Sequence, residues 1–188
     1  GNNYSNVTEN IISGKVGRVL GGSIGDSSNR PDSWDYPINT YLGSSTINIS
    51  GGSVNELYGG DLGRNMSAIG GSTYGALTCD SYYYGTININ ISGGTVTKNI
   101  YGAGAGGGAG YNANSSDSYK SYGLSYNTSV NINISGGTIS GDIYGGGYGY
   151  TEYLTEAVTA ADGGSLYGNS NITISGSPSI AGNVYGGS

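Results

Sequence analysis

One pattern recurs five times along the chain, so the fold must give all five copies equivalent surroundings. Copy two is 46–60 (TINISGGSVNELYGG) and copy three is 86–102 (TININISGGTVTKNIYG). Copy four is 130–147 (VNINISGGTISGDIYGGG) and copy five is 171–187 (NITISGSPSIAGNVYGG). Copy one, 11–22 (IISGKVGRVLGG), is a worn version that aligns if one residue is deleted after Gly14. The aligned serines are Ser13, Ser50, Ser92, Ser135 and Ser175, spaced by 37, 42, 43 and 40 residues. Structural units built on this repeat begin near residues 5, 46, 86, 129 and 170.

Each copy opens with period-two alternation. In copy four Val130, Ile132 and Ile134 point one way, while Asn131 and Asn133 point the other, which describes a strand with one buried face. A glycine corner comes next, then a second apolar pair such as Ile139 and Ile143, whose even spacing turns both toward the same core. In copies one and two that spacing is three (Val16 to Val19, Val54 to Leu57), and a bulge would restore the inward direction. Two architectures satisfy the pattern. Gly-Gly between short strands signals hairpins and an antiparallel sheet. In a parallel β-solenoid the same residues turn a corner, and equivalent positions stack about 4.8 Å apart. Stacking rewards like over like: Ile49, Ile91, Ile134 and Ile174 in a buried ladder, Asn48, Asn90, Asn133 and Thr173 in an outer one. A hairpin sheet has no reason to repeat identical residues at fixed positions. The expected fold is therefore all-β, a right-handed parallel β-helix of about five coils with long insertions on one side. The expected domain organisation is a single module spanning 1–188.

The insertions are 23–45, 61–85, 103–128 and 148–169. All leave just after a glycine corner, so they emerge along one side of the rod, a common place for a binding face. They hold most of the tyrosines and the single tryptophan. The candidate ligand-binding residues are Trp34, Tyr36, Tyr82, Tyr83, Tyr84, Tyr119, Tyr122, Tyr126, Tyr148, Tyr150 and Tyr153. Tyrosine supplies rigid amphipathic contact area. An aromatic ring stacks on sugar C–H bonds while amides and carboxylates bond the hydroxyls. The segment 151–161 (TEYLTEAVTAA) fits a short helix, with Leu154 and Val158 four apart. A second tyrosine row, Tyr58, Tyr101, Tyr144 and Tyr185, ends each second strand, and reads foremost as a stack closing the corner. The Thr46, Asn88, Asn131 and Asn171 row beside the Asn48 row resembles the Thr arrays of ice-binding solenoids. Asparagine dominates here, and a solvated sheet face accounts for it.

Composition removes whole classes of chemistry. The chain has 188 residues, no His, one Cys and a net charge of −6. There is no His base, no Ser-His-Asp triad and no His metal ligand. One cysteine, Cys79, allows neither an internal disulfide nor a multi-cysteine zinc site. Six Lys and Arg against twelve Asp and Glu leave no basic footprint for nucleic acid. No stretch approaches the roughly 20 apolar residues of a membrane span. No cofactor is expected. Calcium is the candidate exception, through Asp32 and Asp35 or Asp80 and Asp117. The run 21–26 is only a faint match to calcium-binding β-rolls, since later copies lack the aspartate. No catalytic residue is assigned: carboxylates neither repeat nor cluster, and Glu152 and Glu156 read as a solvated helix face. The start at Gly1, without Met or a signal-like segment, and the uncapped copy five read as a piece of a larger secreted protein.

The run Ile132 to Gly147 resembles Gly-rich repeats of large secreted or wall-attached proteins of Gram-positive, often gut, bacteria. The resemblance covers the repeats and none of the insertions. It implies an adhesin-like or carbohydrate-associated module outside the cell, with a polysaccharide, a host glycan or surface proteins as partner. The function expected is a non-catalytic, polysaccharide-binding module. The alternatives are a structural stalk or protein-binding adhesin repeat, and then a polysaccharide-degrading β-helix enzyme.

Overall fold

The computed structural model describes residues 4–22, 39–61, 64–66, 77–79, 81–105, 110–111, 118–119, 123–148 and 166–187. Among these the chain is all-β, dominated by two parallel sheets. The first sheet takes the opening strand of every copy, in chain order: Val7–Ile11, Ser45–Ile49, Ser81–Ile91, Gly123–Ile134 and Leu166–Ile174. The second takes the strands on the far side of the glycine corner. Lys15–Leu20 and Ser53–Tyr58 are continuous there. Later copies split into pairs: Thr95–Val96 and Ile100–Tyr101, Thr138–Ile139 and Ile143–Tyr144, Ser179–Ile180 and Val184–Tyr185. Every pairing in both sheets is parallel and joins one copy to the next, which excludes the hairpin arrangement for the repeats.

The register sets equivalent residues side by side. Ile49 pairs with Ile91, Ile91 with Ile134 and Ile134 with Ile174. Both sheets line one core, which includes Ile47, Ile89 and Ile132 from the first and Val54, Val96 and Ile139 from the second. Copies three and four each bury five aliphatic side chains completely or nearly so, Ile87, Ile89, Ile91, Val96 and Ile100 in one, Val130, Ile132, Ile134, Ile139 and Ile143 in the other. Each such burial contributes roughly 1.5–3 kcal/mol. In copy two Val54 and Leu57 are both fully buried despite their spacing of three. Copies one and two run in constant register here, Val16 on Val54 and Val19 on Leu57, and the register to copy three shifts by one residue between Val54/Val96 and Leu57/Ile100, which keeps the apolar residues aligned.

The corner explains Gly-Gly. Gly137 has φ +85°, in the left-handed region that L side chains rarely adopt. Its neighbour Gly136 lies so close to copy three that a Cβ would sit 2.5 Å from the Ser92 carbonyl oxygen. One glycine provides the turn and the other the close approach. This also corrects the alignment of copy one. Ile11 pairs with Ile49 and Lys15 with Ser53, so no residue is deleted. Gly14 (φ +84°) is the counterpart of Gly52 (φ +72°), and Ile12, not Ser13, stands at the position of Ser50. The left-handed glycine defines the corner, whereas the serine before it is replaceable.

Candidate recognition surface

The roots of the insertions are ordered by the same stacking. Each exit comes after a tyrosine or leucine and begins at a glycine bonded to the next copy. Gly21 N donates to Tyr58 O (3.0 Å), and Gly59, Gly102 and Gly145 N donate to Tyr101, Tyr144 and Tyr185 O (each 2.8 Å). A Cβ on Gly102 would stand 2.6 Å from the Gly145 carbonyl oxygen, so only glycine lets successive exits lie this close. The stacking continues outward, with Ala103 N on Gly146 O (3.1 Å), Ala105 N on Asp61 O (2.8 Å) and Tyr148 N on Gly104 O (2.9 Å).

The returning ends are not loops. They extend the first sheet, which corrects the insertion boundaries read from sequence. Asn39–Leu42 pairs with Ser81–Ile91, which pairs with Gly123–Ile134, and the register continues into Leu166–Ile174. Thr40, Tyr82 and Leu124 share one rung, Tyr41, Tyr83, Ser125 and Leu166 the next, and Leu42, Tyr84, Tyr126 and Tyr167 the third. Four of the expected ligand-binding residues, Tyr82, Tyr83, Tyr84 and Tyr126, therefore stand on adjacent strands. Register shifts after Tyr126 separate this extension from the repeat strands. Tyr119 lies in a separate antiparallel pair, opposite Gly110. Trp34, Tyr36, Tyr122, Tyr150 and Tyr153 lie outside the described residues, as do the helix expected at 151–161 and Asp32, Asp35, Asp80, Asp117, Glu152 and Glu156. Cys79 pairs with Arg64 in an antiparallel ladder within the second insertion.

Tyr148 is committed to the corner. Its ring packs on Tyr101 at 5.0 Å between centroids, tilted by 46°. Tyr58, Tyr101, Tyr144 and Tyr185 stack face to face at 5.2, 5.0 and 4.9 Å, within 12° of parallel. Their faces are turned to each other, and Tyr58 and Tyr101 are buried with Ala105. Asn99 Nδ2 donates to the Tyr101 hydroxyl oxygen (2.9 Å), and the Tyr144 hydroxyl donates to Asp142 Oδ2 (3.1 Å). Burial, with the nearby Glu56 charge, pushes the Tyr58 hydroxyl up to about 12 against the opposing influence of Arg18. Tyr101 and Tyr144, with a ring on each face, close the corner and offer no platform to a sugar ring.

The outer face of the first sheet carries amide ladders. Asn48 Nδ2 donates to Asn10 Oδ1 and Asn90 Nδ2 to Asn48 Oδ1 (both 2.9 Å), and Asn133 Nδ2 donates to Asn90 Oδ1 (3.0 Å). In the neighbouring row Asn131 donates to Asn88 and Asn171 to Asn131, each at 3.1 Å. Every rung runs the same way, from a later copy to an earlier one.

Three features went unread in the sequence. Glu56 is held between Arg18 (2.8 Å) and Lys98 (2.9 Å). Burial raises its pKa, but the bonds from Lys98 and Arg18 and their charges outweigh this and leave the carboxyl below its ordinary range. Asn99 Oδ1 accepts the Asp142 backbone N–H (2.9 Å), and Asp142 Oδ1 accepts that of Asn183 (2.7 Å). These partners are about 40 residues apart, and only an alignment of the variable corner residues could have revealed them. Glu9 stands in the inward row, paired with Ile47. Its signal was present in the alternation of VTENI, which the misplaced gap in copy one concealed.

Among the described residues no group of three or more His, Cys, Asp or Glu is placed to hold a metal ion. The chain matches no protein-family model, and neither the curated proteins nor the solved structures compared with it give a match.

Proposed function

We propose that this chain is one module of a right-handed parallel β-helix of about five coils, and that it binds a polysaccharide through its tyrosine-rich insertions without catalysing a reaction. The copy-to-copy parallel pairing and the shared core support the coil, and the strong right-handed preference of parallel crossovers supports the hand. The observation that carries the functional reading is the extended first sheet, where Tyr82, Tyr83, Tyr84 and Tyr126 occupy adjacent strands at the insertion roots. Neighbouring strands lie about 4.8 Å apart, so the rung of Tyr84, Tyr126 and Tyr167 sets tyrosines at a regular spacing, as sugar units repeat along a glycan. The resemblance of the repeats to those of Gram-positive surface proteins extends the proposal to a secreted or wall-attached setting.

A second reading, a structural stalk or protein-binding adhesin, draws support from the uninterrupted ladders, which demand nothing of the insertions. Retention on immobilised polysaccharides and host glycans, with and without calcium, separates the two. Selective retention weakened at least tenfold in Tyr82→Ala, Tyr84→Ala and Tyr126→Ala is the expected result. Retention that these variants leave unchanged overturns the tyrosine site, and no retention on any glycan moves the assignment to the stalk. Release of reducing ends from a bound glycan would overturn the non-catalytic reading.

A further inference from the structure

The two parallel sheets differ in what they turn away from the core. On the first sheet one outward row runs from Thr8 through Asn88 to Asn171 and the next from Asn10 through Asn90 to Thr173. Both rows hold only Thr and Asn, half-buried or exposed, and neither carries a charge. Charge in the described repeats lies elsewhere. Glu9 stands in the inward row, paired with Ile47, while Arg18, Glu56 and Lys98 are joined on the side of the second sheet.

The uncharged face is also pre-organised. Asn48, Asn90 and Asn131 each donate one Nδ2–H to the copy before and accept one bond on Oδ1 from the copy after. A side-chain amide has two donors and two acceptor sites, so one of each remains on every such residue. The rungs already fix the amides, so a ligand that bonds to them costs little further side-chain ordering. Sugar hydroxyls both donate and accept, and a row offering both at every strand matches them. A carboxylated glycan asks for cations. This face has none, and Arg18 and Lys98 are engaged with Glu56.

The amide rows and the tyrosine rung belong to one sheet. Tyr84 and Tyr167 stand four residues before Asn88 and Asn171 on the same strands, a separation of roughly 13 Å. A polysaccharide, unlike a single sugar, is long enough to rest on both.

We propose that the outward amide rows of the first sheet are the hydrogen-bonding part of the glycan site, and that they select a neutral polysaccharide over one bearing carboxylates. The proposal rests on the tyrosine-based reading above and adds to it the substrate class and the groups that set it.

Retention on soluble glucan, mannan and galactan tests it, each offered as the neutral chain and after oxidation of its primary hydroxyls to carboxylates. At least one neutral chain should be held about tenfold more tightly than its carboxylated form, equally from about 0.05 to about 0.5 M salt. Asn88→Ala combined with Asn131→Ala should weaken that retention about tenfold, with the circular dichroism of the fold preserved. Thr46→Lys, at an outward position outside the amide ladders, should add salt-sensitive retention of the carboxylated chain. Thr138→Lys, an equal charge change at an exposed position of the second sheet, should not. A native preference for the carboxylated chain overturns the proposal, as do equal gains in Thr46→Lys and Thr138→Lys or a folded Thr46→Lys with no gain. Full retention by the folded double alanine variant while Tyr84→Ala loses it overturns the amide rows and leaves the tyrosine site standing. Retention of no glycan in either form overturns both readings.

Discussion

Copy one and copies three and four descend from one pattern but meet different neighbours. Copies three and four are covered on both sides, and there the repeat is nearly invariant: Ile89 over Ile132, Asn90 over Asn133, Tyr101 over Tyr144. Among the described residues copy one pairs with copy two alone. There Glu9 replaces the inward isoleucine, Ile12 the corner serine and Leu20 the tyrosine. A residue with matching partners above and below loses two contacts when it changes, and an end residue loses one.

The largest expected effect lies in the core. Ile132→Ala removes a fully buried side chain between two others and should destabilise by about 2–5 kcal/mol. Ile172→Ala, at the same position in the half-covered last copy, should lose about half as much in urea unfolding. Equal losses would mean that the last copy is covered in solution. The corner glycines give a finer test. Gly14 and Gly137 share a positive φ, +84° and +85°. A Cβ on Gly137 meets the Gly93 and Gly94 carbonyl oxygens at 2.9 Å, while one on Gly14 meets nothing within 4 Å. Gly14→Ala should therefore cost only the backbone term, about 1–2 kcal/mol, and Gly137→Ala more than that by the same assay. The amide ladder gives the smallest effect. Asn90→Ala breaks two rungs and Asn10→Ala one, so at about 1 kcal/mol per bond the first should lower the thermal midpoint about twice as far.

The repeat strands were legible because alternation and like-over-like spacing are local signals with one structural meaning. Val130, Ile132 and Ile134 are buried where the alternation puts them, and the Asn48, Asn90 and Asn133 rungs form as the spacing implies. The insertion roots were not legible. Tyr82 to Tyr84 and Leu124 to Tyr126 share no repeated residue pattern, and they pair only because the strands beside them have already been aligned. Tyr148 carried the same signal as any other insertion tyrosine, and its contact with Tyr101 depends on how the corner stacks. Glu9 was visible as a letter, but an inward carboxylate has meaning only once its register with Ile47 is known.

By itself, the sequence determined that copies stack in parallel, which side chains face the core, and where glycine alone can turn. The physical grounds are the period of two along a strand and the advantage of stacking identical side chains. The tertiary structure decided the register of copy one, the extension of the first sheet into the insertions, and the face-to-face packing of the tyrosine corner. Those depend on contacts between residues some 40 positions apart, and only the completed stack determines which groups are covered and which are left at an edge.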